Sequence, residues 1–248
     1  THPHRDNNLE STIKTLSRGI TGLTSTRSRK ILTYQMALEL NGHAGAKIKE
    51  IDRGMFARVT YKGNTGYILN SQEILSDHHI YTFGIREQLL NYRDSRKAAE
   101  EIKKRKGVVI IDHPYIIATK NPIIRYRMIN EKEEKKTREL CQMADEIEVF
   151  NAQSINLIPI LAWANGANDK AKELAKEYGF KGTASSDTHG RLEQIQVAGI
   201  YLPKDTTSIE ALKERIAKKD FERYEQYVST LSFIKGHFFS KFPKGTFR

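Results

Sequence analysis

Gly107-Val108-Val109-Ile110-Ile111-Asp112-His113-Pro114 is an apolar, β-branched run that ends in an acid, a histidine and a proline. A run with no polar alternation suits a strand buried on both faces, and the polar pair then falls at its C-terminal mouth. That is where α/β barrels gather their functional side chains. Outward from this stretch, helical and extended patterns alternate. Residues 11–17, 28–40, 86–106, 130–143, 169–178 and 208–218 read as helices. Residues 19–24, 44–51, 57–61, 66–69, 108–112, 146–150 and 183–186 read as strands, and Lys62-Gly63-Asn64 reads as a turn. Repeated βα units predict an α/β fold built on a parallel barrel.

Metal-ligand residues recur at the ends of several of these segments. His2-Pro3-His4 and Asp187-Thr188-His189 each place two donors two residues apart, and in an extended chain such residues point the same way into one pocket. His113 stands beside a second acid, Asp112. His78 and His79 are adjacent, so only one of them faces inward in an extended segment. Glu73 follows Asn70-Ser71-Gln72 and on its own suits a helix cap or a turn as well as a ligand. Imidazoles and carboxylates together are the donors of a divalent cation that activates water. His43 and His237 fall outside every motif.

In their order these pieces resemble the PHP family, the polymerase and histidinol phosphatase superfamily of metal-dependent phosphoesterases. The matching elements are His2-x-His4, Gly19-Ile-Thr-Gly-Leu23, Glu73, His79-Ile-Tyr-Thr-Phe-Gly84, His113-Pro114, Glu148-Val-Phe-Asn151 and Ser186-Asp187-Thr188-His189. The resemblance implies a distorted (β/α)7-type, TIM-like barrel over residues 1–218, followed by a basic, aromatic extension over 219–248. It also implies a cluster of two or three divalent ions, manganese, zinc or iron. Its ligands would be His2, His4, Asp6, Glu73, His79, His113, Asp187 and His189, with Glu73, Asp187 and His189 closest to the chemistry. Family members usually carry Thr-Asp-His after the second strand, and here the sequence is Thr24-Ser25-Thr26-Arg27-Ser28-Arg29. Arg27 and Arg29 stand where that histidine would, and a planar guanidinium fork suits a phosphate.

Composition narrows the partners. The chain has 248 residues, enough to bury one sizeable core, and a formal charge of +11. That sign favours a phosphorylated substrate, a nucleotide or single-stranded nucleic acid among them, although mixed-charge runs on exposed helix faces account for part of it. Cys141 is the single cysteine, which excludes an internal disulfide and a Cys-rich zinc knuckle. Apolar stretches such as 155–164 are too short to span a bilayer, and no basic-then-apolar leader precedes them, so the expectation is a cytoplasmic protein with no membrane partner. Oligomeric state is not legible. The competing reading is a non-catalytic nucleic-acid-binding barrel like the protein subunit of ribonuclease P, against which the retained histidines and carboxylates argue.

Overall fold

The computed structural model describes residues 9–25, 32–89, 92–118, 126–154, 166–188 and 194–231. Its centre is an eight-stranded mixed sheet. Five strands lie in the order β10 (Thr183–Ser185), β9 (Glu146–Asn151), β6 (Val108–Ile111), β5 (Ile80–Phe83) and β4 (Asn64–Ile74). Beyond them come β3 (Phe56–Tyr61) and β2 (Lys47–Asp52), while β1 (Gly19–Ser25) pairs with β4. Two short ladders stand apart: β7 (Ile116–Ala118) with β8 (Tyr126–Met128), and β11 (Gly199–Tyr201) with β12 (Glu222–Tyr224).

The expected (β/α)7, TIM-like barrel is not the architecture of the described residues. β6, β9 and β10 are parallel, as are β1 and β4, but β5 runs antiparallel to both of its neighbours, and β2, β3 and β4 form an antiparallel meander. The cause is connection length. Residues 75–79 join β4 to β5, and Lys62-Gly63, both with positive φ, join β3 to β4; neither connection can accommodate the dozen or so residues of a parallel crossover. No ladder joins β1 to β10 among the described residues, so the sheet curls without closing.

The apolar run at 108–111 is β6, buried along its whole length, and β9 beside it is equally buried. Their outer side packs against α3 (Ser95–Lys104), α4 (Glu131–Cys141) and α5 (Ala167–Tyr178) in a core that holds Ile102, Ile111, Leu140, Ile147 and Leu174. Local signals set the ends of these helices. Asp94 caps α3 through the amides of Arg96 and Lys97, Asn130 and Glu133 form a capping box at α4, and Gly179, in the left-handed region at φ 73°, ends α5. A second core forms where α1 (Leu9–Leu16) and α2 (Tyr34–Leu38) cover β1–β4. α6 (Ile209–Ala217) places Leu212 and Ile216 against Phe56, Leu69 and Phe83.

Two sequence expectations shift. The helix expected over 86–106 begins only at Ser95. Buried Gln72 accepts a hydrogen bond from the Leu89 amide at 2.7 Å and donates to the Glu87 carbonyl at 2.8 Å, which holds that segment in a non-helical path. β4 runs on to Ile74, well beyond the expected end at residue 69, because β1, β3 and β5 all pair with it. No helix among the described residues is long and apolar enough to cross a membrane.

Candidate metal centre

One face of β4 carries Thr65, Tyr67, Leu69 and Glu73 into a cavity of about 600 Å³ inside the curl of the sheet. Glu73 lies at its C-terminal end, not in a cap or turn. β5 runs back alongside, so His79, just before it, returns to the same level, and His113 follows β6 at the adjacent strand end. The amide of Asp112 donates to the carbonyl of His79 at 3.1 Å and ties the two histidine-bearing segments together.

Glu73, His79 and His113 each offer a ligand atom within 4.8 Å of the others. Glu73 Oε1 lies 2.7 Å from His79 Nδ1 and 3.8 Å from His113 Nε2, and the imidazole rings meet edge to face at 4.9 Å. His78, the neighbour, turns its buried ring away from this cluster. The His113 tautomer is set locally. Its Nδ1 sits 3.1 Å from the Ile116 carbonyl, which only accepts, so Nδ1 carries a proton and Nε2 is the ring atom that faces Glu73.

Acids crowd the same space. Asp112, Glu148 and Asp187 line the cavity with Glu73. Glu148 accepts the His113 amide at 2.7 Å, and Asn151 donates to Glu148 at 3.4 Å and to Asp187 at 3.1 Å. Burial, and then the charges of Glu73 and Asp187, push the Asp112 carboxyl upward, and burial with the charges of Asp112 and Asp187 raises that of Glu148, while the His113 imidazole opposes both. Burial would lower the His113 imidazole, but Asp112, Glu73, Asp187 and Glu148 together hold it well above its ordinary value. His113 and Asp187 both have positive φ, 27° and 39°, a conformation uncommon for residues with a Cβ.

These residues fit a divalent cation. Ligand bonds of about 2.0–2.2 Å require donor atoms a few ångströms apart, as Glu73, His79 and His113 hold them. The 2.7 Å approach of His79 Nδ1 to Glu73 is not a hydrogen bond, and both that nitrogen and Glu148 Oε1 are buried without a hydrogen-bond partner. Buried polar atoms left this way are costly unless something else pairs with them.

Of the ligands expected from sequence, Glu73, His79, His113 and Asp187 line or border one cavity. His2, His4, Asp6, His189, Arg27 and Arg29 lie outside the described residues. Glu148 and Asn151 appear in the sequence as a motif without an assigned role; polar residues among the apolar ones of a fully buried strand were the available signal. Within the basic, aromatic extension, residues 222–224 form β12, and 232–248 lie outside the described residues.

A family model described as PHP-associated (PHP_C) matches residues 165–220, a span that includes α5, β10, Asp187, β11 and α6. The match is consistent with a protein of the PHP family. No curated protein matches the chain.

Proposed function

We propose that this chain is a metal-dependent phosphoesterase. The observation that carries the reading is the convergence of Glu73, His79 and His113 on one ligand sphere, at the border of a cavity lined by Glu73, Asp112, Glu148 and Asp187. More carboxylates meet there than one cation needs, which supports two or three ions of manganese, zinc or iron, with His2, His4, Asp6, Asp187 and His189 completing the shell. Divalent metal in such a site supplies the Lewis acidity that makes water a nucleophile near neutral pH and offsets phosphate charge.

The chain's own groups do the rest. The Ile116 carbonyl fixes the His113 ring, the His113 amide and Asn151 fix Glu148, and Asn151 fixes Asp187. Glu148 Oε1, buried and without a hydrogen-bond partner, is the carboxylate oxygen that would accept the proton of the attacking water, provided a bound cation keeps it ionised. Arg27 and Arg29 bind the substrate phosphate.

The test is elemental analysis of the purified protein, together with manganese-supplemented assays on phosphomonoesters, nucleoside bisphosphates and short oligonucleotides. Glu73→Ala should lose at least one metal equivalent and nearly all hydrolysis. Unchanged metal content in Glu73→Ala would sink the assignment, and a wild-type protein free of transition metal would leave only a binding module.

A further inference from the structure

The cavity lining runs along β4 from Glu73 to Thr65, and the chemistry at the Thr65 end is opposite to that at Glu73. β2 exposes Lys47 and Lys49 on one face, and Arg58 of β3 lies directly across from Lys49. Like charges paired across strands are destabilising, and among the described residues no carboxylate pairs with any of these cations. The acids of β2 are committed elsewhere: Glu50 accepts the Tyr34 hydroxyl and the Gly54 amide, and Asp52 accepts the amide that starts α6. Lysines on an edge strand guard against aggregation, but guarding does not require a third cation on the inner strand.

The cationic row continues into the cavity. Arg58 is in register with Tyr67, which lines it, and Tyr67 and Glu73 share one strand face about 20 Å apart at the rise of a β-strand. Arg18 and Lys204, both exposed, also line the cavity. Beside them Tyr201 is 63% exposed and backed by Tyr224 at a ring separation of 4.7 Å. Unpaired cations interleaved with an exposed aromatic platform match a chain of phosphates carrying stackable bases.

We infer that the β2–β3 hairpin and the Arg18/Lys204/Tyr201 rim form a docking surface for single-stranded nucleic acid, leading its backbone towards the metal centre. Taken as a route to substrate, the inference rests on the phosphoesterase reading; the binding surface itself does not. The test is fluorescence anisotropy of the full chain with a labelled oligothymidine, in chelator, across a range of potassium chloride. Affinity should fall steeply with salt. Lys47→Glu with Lys49→Glu should weaken binding at least tenfold and reduce the logarithmic salt slope by about 1.4, at about 0.7 per phosphate contact. Tyr201→Ala should weaken it on the order of tenfold with the slope unchanged. No binding at low salt, wild-type affinity in both variants, or more effective competition by phosphatidylserine vesicles than by unlabelled oligothymidine would overturn the inference. Because chelator is present, such a failure bears on the surface alone, whereas the hydrolase reading stands or falls on the metal content of Glu73→Ala.

Discussion

The two halves of the sheet are built on different rules. β6 and β9 are parallel neighbours buried on both faces, whereas β2 and β3 alternate, with one face on the α1–α2 core and the other cationic and open. The first half is held by apolar burial and carries His113, Asp112 and Glu148 at its strand ends. Hairpin pairing holds the second, which brings in Glu73 and His79 by reversing direction twice. The candidate metal centre sits on the seam, so its ligands depend on two structural regimes. Mutations should separate them.

Ile147→Ala strikes the buried half. Ile147 is fully buried, and truncation at such a site costs about 2–5 kcal/mol, to be read from urea unfolding with metal removed. A loss below about 1 kcal/mol would mean that this half is not the stable frame assigned to it.

Asn151→Ala tests the join between that frame and the chemistry. Removing the amide that touches both Glu148 and Asp187 should lower metal affinity about 10–100-fold, measured by titration calorimetry, with little change in the far-ultraviolet spectrum.

Asn130→Ala removes the reciprocal cap of α4, on the outer side of the same half, and should cost about 1 kcal/mol while leaving metal affinity untouched. The smallest effect belongs to the open half and has the opposite sign. Lys49→Glu converts the repulsive pair with Arg58 into an attractive one and should raise stability by about 0.2–1 kcal/mol while weakening oligonucleotide binding. A gain in stability with unchanged binding would reduce the cationic face to simple edge protection.

Sequence legibility follows the same division. The buried run at 108–111 reads as a strand because nothing in it competes, and Gly179 and Asn130 mark helix ends through local chemistry that tertiary contacts do not override. His113 and Asp187 stand out because they close strands. Glu73 does not, since Asn70-Ser71-Gln72 reads as polar loop, and only three-sided pairing of β4 makes it strand. Strand periodicity is blind to direction, so the parallel barrel was over-read from alternation, although the Lys62-Gly63-Asn64 turn between the strands at 57–61 and 66–69 already pointed to a reversal. The Gln72 fork that keeps 87–89 out of a helix is a contact between distant parts of the chain, with no local signature.

The left-handed backbone at His113 and Asp187 sets function against durability. Each such residue holds a conformation that costs of order 1–3 kcal/mol when a side chain is present. Glycine would adopt it freely, so selection for robustness alone would drift both positions towards glycine and erase the donors. Histidine and aspartate at these positions mark two points where the protein forgoes part of its thermal margin, a margin that better packing in the Ile147 core would recover without touching these strand ends.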